Sequence, residues 1–86
     1  MRSVIIVTVK DKNENFTYDV EVPVNITARK AAADIIEVLN YYKGGTSILL
    51  NGEYRLKNER TGSTLEAGKT LYENGVWQGD VLTIVK

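Results

Sequence analysis

Apolar and polar positions alternate with a period of two through Phe16-Thr17-Tyr18-Asp19-Val20-Glu21-Val22. Phe16, Tyr18, Val20 and Val22 share one face of a predicted strand, and Thr17, Asp19 and Glu21 share the other. A single wet face is the mark of a sheet covered on one side only. The preceding run sets Ser3, Ile5, Val7 and Val9 against Val4, Ile6, Thr8 and Lys10. It is apolar on both faces, as suits a strand with neighbours on either side. The turn-prone Asp11-Lys12-Asn13-Glu14-Asn15 joins the two runs into a hairpin. Pro23 ends the ladder, because it has no N–H to donate.

The period then changes. From Ala28, apolar residues recur every three or four positions at Ala31, Ala32, Ile35, Val38, Leu39 and Tyr42, an amphipathic helix of about four turns. Thr27 is its N-cap, with Ile26 and Ala31 placed to form a hydrophobic staple. Arg29, Lys30, Asp34, Glu37 and Asn40 lie mainly on the other side. Lys30 precedes Asp34 by four residues, the less favourable order for a helical ion pair. Gly44-Gly45 supplies the stop. One apolar stripe and one apolar sheet face must cover each other.

Beyond the helix, Ser47-Ile48-Leu49-Leu50-Asn51-Gly52 and Glu53-Tyr54-Arg55-Leu56-Lys57 flank an Asn-Gly hairpin signal. The third strand has two registers open to it, Ile48 to Gly52 or Tyr54 to Lys57, and the second is preferred. A polar turn, Asn58-Glu59-Arg60-Thr61-Gly62, leads into Ser63-Thr64-Leu65. Gly68, Gly75 and Gly79 punctuate an irregular segment pinned by Leu71 and Val76, with a short helical or tight turn inside it. Gly79-Asp80 then launches the β-branched run Val81-Leu82-Thr83-Ile84-Val85. Two antiparallel strands, one helix and a last strand inserted beside the first describe an α+β β-grasp, a mixed sheet of four to five strands. A ferredoxin-like fold would need a second long helix, which the glycines between Leu65 and Gly79 preclude.

Leu65-Glu66-Ala67-Gly68-Lys69-Thr70-Leu71 resembles ubiquitin's Leu-Glu-Asp-Gly-Arg-Thr-Leu, and Thr61-Gly62-Ser63-Thr64-Leu65 sits where ubiquitin has Ala-Gly-Lys-Gln-Leu. Within ubiquitin-like proteins the chain is more similar to the bacterial YukD/EsaB family. That pattern of Thr-Leu, an acidic residue, Gly-Val/Ile and Gly-Asp is met by Thr70-Leu71, Glu73, Gly75-Val76 and Gly79-Asp80. Asn58 to Gly62 resembles the turn before it. The likeness implies a small cytoplasmic accessory component of a type VII (ESX/WXG100) secretion system, with a secretion ATPase or membrane-channel subunits as protein partners. Ubiquitin's apolar binding patch would fall at Val85, and near Arg55 in the preferred register.

Composition narrows the functions. Eleven basic and eleven acidic residues cancel, so no net field recruits nucleic acid or an anionic membrane. Cysteine and histidine are both absent, removing thiol chemistry, disulfides and the commonest general base and metal ligand. The apolar amino terminus is too short for a signal peptide or a span, so one domain over residues 1–86, cytoplasmic and not inserted in a membrane, is expected. No enzyme activity, metal or cofactor is expected. Asp11 with Glu14, and Glu59 with Glu66, read as solvated loop charges rather than acid–base pairs. Gly44-Gly45 lacks the Lys and Ser/Thr of a phosphate loop.

The candidate chemistry is therefore a binding surface. If Ile5, Val7, Val9, Leu82 and Ile84 face the helix, then Val4, Ile6, Thr8, Val81, Thr83 and Val85 face outward, beside Arg55 and Lys57. The predicted protein-binding residues are Val4, Ile6, Arg55, Lys57, Val81, Val85 and Trp77. A lone tryptophan at Trp77 is more often a lid over the core edge than a contact anchor, although interface hot spots favour this residue type. An aliphatic open face is compatible with a symmetric homodimer. The alternative function is a ubiquitin-like modifier or sulfur carrier. That chemistry needs a flexible diglycine tail, and this sequence stops at Lys86, directly after the last strand.

Overall fold

The first strand, β1 (Val4–Asp11), sits inside the sheet, as its two apolar faces require. The computed structural model describes residues 3–11, 17–42 (side chains to 38) and 54–85. The Gly44-Gly45 stop, the Asn51-Gly52 hairpin, the Ile48–Gly52 register, residues 12–16 of the first hairpin, and the side chains of Leu39, Asn40, Tyr41 and Tyr42 lie outside them. So does Lys86.

On one side, β1 pairs antiparallel with β2 (Thr17–Pro23), with Val7 opposite Val20. Across the polypeptide comes α1 (Ala28–Tyr42), then β3 (Arg55–Asn58) and the two-residue β4 (Ser63–Thr64). The last strand, β5 (Val81–Val85), enters parallel to β1 with Thr8 opposite Val81. It pairs antiparallel with β3, Arg55 opposite Val85. Among the described residues, the order β2-β1-β5-β3-β4 makes a five-stranded mixed sheet with one helix, the β-grasp expected from the pattern. The preferred register of the third strand holds, with Leu56 turned into the core.

Ile5, Val7, Val9, Val22, Leu56, Leu82 and Ile84 make the sheet's share of the core, and Ala28, Ala31, Ala32 and Ile35 the helix's. Alanines let the helix lie close to the sheet. Val38, placed in the apolar stripe by its spacing, is instead 41% exposed. At about 100° per residue it lies roughly 70° from the mean direction of the four buried helix positions. It falls at the stripe's margin.

The helix start is held by the irregular segment. Thr27 Oγ1 accepts from the Lys30 N–H (3.2 Å), the expected cap. The Ala28 and Arg29 N–H groups, orphans of the first turn, donate to the carbonyls of Lys69 (2.8 Å) and Ala67 (3.1 Å). Leu71 and Tyr72 then donate to Ile26 and Val24. Stretch 65–80 thus closes one end of the molecule. Leu71 and Val76 are buried, the apolar pins their positions suggested.

Gly75 and Gly79 adopt φ of 71° and 87°, a region costly for any residue with a Cβ, whereas Gly68 does not. Gly79→Ala is therefore expected to lose about 1–2 kcal/mol. Gly68→Ala, with nothing within 4 Å of the added carbon, should stay within about 0.5 kcal/mol of the parent. Urea unfolding of both checks the contrast.

Candidate functional site

The face of the sheet away from α1 carries four columns of side chains. Thr17, Asp19 and Glu21 stand on β2, and Val4, Ile6, Thr8 and Lys10 on β1. Val81, Thr83 and Val85 follow on β5, with Arg55 and Lys57 on β3. All six predicted sheet residues therefore share this face. Ile6 is 42% exposed, Val4, Val81, Val85 and Lys57 are half-buried, and Arg55 is exposed. The parallel register staggers them. Four residues separate Val4 from Thr8, and four separate Val81 from Val85, so Val4 and Val85 lie about 26 Å apart along the strands. The patch is a diagonal band, apolar through Ile6 and Val81, with Arg55 and Lys57 at its far end.

Thr83 faces outward, as its place in the alternation predicts, yet it is buried. Its hydroxyl donates to the Glu59 carboxylate, and the two side chains cover the strand. That hydroxyl is the main cause holding the Glu59 carboxyl below its usual range; burial opposes it, and Lys57 and Lys10 reinforce it. Glu59 is thus engaged rather than a freely solvated loop charge. Asp11 departs further from its expected place. It ends β1 opposite Ile84 and is buried, because the parallel pairing continues through it. Glu66 remains exposed and pairs with Lys69 at 3.1 Å. Among the described residues, no group of His, Cys, Asp and Glu side chains is arranged to hold a metal ion.

Trp77 lies beyond the near end of the band, in the loop before β5. The Gln78 side-chain oxygen accepts from the Ile6 N–H (2.9 Å), and the Gly79 N–H donates to the Ile6 carbonyl (2.8 Å). Trp77 is 63% exposed, and the Arg60 guanidinium stacks 4.0 Å from its ring centroid. Below them is Asp80, nearly buried. Its Oδ1 accepts from Arg60 Nε (2.8 Å). Its Oδ2 accepts from the Arg60 terminal nitrogen (3.1 Å), the Asn58 amide (2.9 Å) and the Trp77 N–H (2.8 Å). Burial alone would raise the Asp80 carboxyl; the Arg60, Trp77 and Asn58 donors together outweigh it and hold the group low. The same Arg60 nitrogen donates to the Gly75 carbonyl at 2.7 Å. Trp77 is consequently a fixed, exposed aromatic.

Asn58 and Arg60 read from sequence as ordinary turn residues. Asn58 is in fact fully buried, and its amide donates to Asp80, which satisfies it there. Their pairing spans 20 and 22 residues, which periodicity cannot detect. Gly79-Asp80 before the last strand was the available signal. Upstream, Thr70 and Glu73 form a reciprocal capping box: the Thr70 N–H donates to Glu73 Oε1 (2.9 Å), and the Glu73 N–H to Thr70 Oγ1 (3.0 Å). The Thr70 N–H, then its hydroxyl, holds the Glu73 carboxyl low. The Asn74 side chain ties the loop across to Glu66, accepting from its N–H (2.8 Å) and donating to its carbonyl (3.1 Å). Thr70, Leu71, Glu73, Gly75, Val76, Gly79 and Asp80 therefore each have a structural task.

The comparisons with known proteins agree with this geometry. The EccD5 ubiquitin-like domain from Mycobacterium xenopi superposes with a TM-score of 0.77 at 18% identity, covering 98% of this chain and 94% of that one. The ubiquitin-like domain of the Mycobacterium tuberculosis type VII secretion system protein ECCD1 gives 0.73 at 21% identity, over 99% and 100%. A chain of the MycP5-free ESX-5 inner membrane complex gives 0.77 at 22% identity, over 98% of this chain and 21% of that one. At these identities the likeness establishes the ubiquitin-like fold. No curated protein matches the sequence significantly. The family model described as "WXG100 protein secretion system (Wss), protein YukD" matches residues 4–84, nearly the whole chain, and the chain belongs to that YukD family.

Proposed function

We propose that this chain is a non-catalytic docking module of a type VII secretion system, acting in the cytoplasm as one ubiquitin-like unit over residues 1–86. It works without conjugation, by presenting the open sheet face to a secretion subunit, an ATPase or a membrane-channel component. The observation that carries the reading is the diagonal band from Val4 and Ile6 through Val81 to Val85, flanked by Arg55 and Lys57 and left uncovered by α1. Trp77, fixed beside the Ile6 end, extends it with the kind of rigid aromatic that anchors interfaces. The relative within the ESX-5 inner membrane complex supports a secretion subunit as the partner. Among the described residues, no helix is long and apolar enough to cross a membrane.

Affinity capture from the native host, followed by mass spectrometry, tests the reading. Secretion subunits should be recovered with the parent protein and lost with Ile6→Asp/Val85→Asp, which should still unfold cooperatively because neither side chain belongs to the buried core. Undiminished capture by that variant rejects the open face. Recovery of thioester adducts instead would favour a modifier or sulfur carrier.

A further inference from the structure

The outer edge of β2 is a second surface, distinct from the open face. β2 ends the sheet, and among the described residues its only strand partner is β1. The Val24 N–H donates to the Ser3 carbonyl at 2.9 Å, which sets the phase of this antiparallel ladder. Tyr18, Val20 and Val22 then exchange hydrogen bonds with β1, while the backbone groups of Thr17, Asp19 and Glu21 point away from the sheet. Such an edge, seven residues long, is a template for another strand.

The side chains restrict what can pair there. Asp19 and Glu21 are exposed on the open face, with Asp19 Oδ1 accepting from the Thr8 hydroxyl at 2.7 Å. Tyr18 and Val20, on the helix side, are only half-buried and leave apolar surface at the rim of the core. A second copy of this edge, paired antiparallel about Val20, would set Asp19 against Glu21 twice, and directly opposed like charges destabilise a pair of strands. The carboxylates therefore repel self-pairing and attract a strand of opposite charge.

We propose that the β2 edge accepts an extended segment of a partner protein in which basic and apolar residues alternate. Its Lys or Arg side chains meet Asp19 and Glu21 on the open face, and its apolar side chains continue the core beyond Tyr18 and Val20. Backbone pairing supplies the affinity and the alternation supplies the specificity.

The probe is a seven-residue peptide alternating Lys and Val, with a Glu-Val counterpart as control. The Lys-Val peptide should bind about tenfold tighter and slow hydrogen exchange at the Asp19 and Glu21 amides. Asp19→Lys/Glu21→Lys should reverse the preference, while Val85→Asp, opposite Arg55 at the far end of the open face, should leave it intact. That last variant separates this edge from the open-face reading, since either can fail alone. Equal binding of the two peptides overturns the proposal, as does slowed exchange confined to Arg55 and Val85. Should the double-lysine variant not fold, the exchange pattern of the parent protein decides.

Discussion

Leu71→Ala is expected to destabilise the protein by about 3 kcal/mol, within the range for a fully buried leucine that leaves a cavity. Leu71 is fully buried although it lies in a segment without regular secondary structure. Its N–H donates to the Ile26 carbonyl (3.0 Å), and its carbonyl accepts from the Val76 N–H (3.0 Å). The backbone on both sides is thus tied down, which limits collapse around the missing methyl groups. A domain of this size has a total stability of about 4–13 kcal/mol, so the loss is a large fraction of it. The melting temperature should fall by about 12–24 °C. Tyr72→Ala, at a neighbouring residue that is 75% exposed, should change stability by no more than about 0.5 kcal/mol. Thermal and urea unfolding followed through Trp77, the sole tryptophan, read both variants. Equal behaviour of the two would mean that segment 65–80 is not part of the cooperative unit.

That contrast also marks which parts of the fold were legible in the sequence. Alternation in Thr17 to Val22 and the helical spacing from Ala28 to Ile35 are local signals with a direct physical meaning, and both elements form where they are read. Pro23 does not end the ladder, because its nitrogen points to the outer edge, so it pairs with Val4 and the Val24 N–H still donates to Ser3. The seat of β5 beside β1 follows from the need of a strand with two apolar faces for two neighbours; its parallel direction is read only from the structure. Val38 departs from its predicted place, because an apolar residue at helical spacing is buried only if its angle around the helix also faces the sheet. Asp11 was misplaced because a charge beside a turn looks solvated, whereas the β1–β5 pairing runs through it. The candidate face was legible as a set of residues but not as a shape. Only the stagger between β1 and β5 shows that Val4 and Val85 are far apart. By sequence Trp77 is a lid or a contact anchor, and what fixes it is Asp80 together with the distant Arg60.

Asp80→Asn tests that long-range cluster, and is expected to cost about 2 kcal/mol at neutral pH. An amide has one acceptor oxygen where the carboxylate has two. With the oxygen kept toward Asn58 and Trp77, its NH₂ would face the Arg60 Nε, donor against donor. Arg60 is partly solvent-exposed, so water relieves some of that conflict, and the loss stays below that for a fully buried ion pair. The pH dependence has a definite sign. Asp80 is held below its usual value in the folded protein. Its charge therefore contributes fully above the unfolded value of about 3.9, and the contribution is lost as pH falls through the lower folded value. Glu59 and Glu73 are also held low, so the parent protein's acid unfolding mixes several carboxyls. Comparison with the asparagine variant isolates one of them. The stability gap between parent and Asp80→Asn should be widest near neutrality and should narrow progressively below about pH 4. Because the variant also weakens the hold on the Trp77 N–H and on Arg60, its native fluorescence should shift to the red before any global unfolding. A gap that stays constant down to strong acid would show that Asp80 acts through shape rather than charge, and would detach Trp77 from the cluster that makes it a rigid contact.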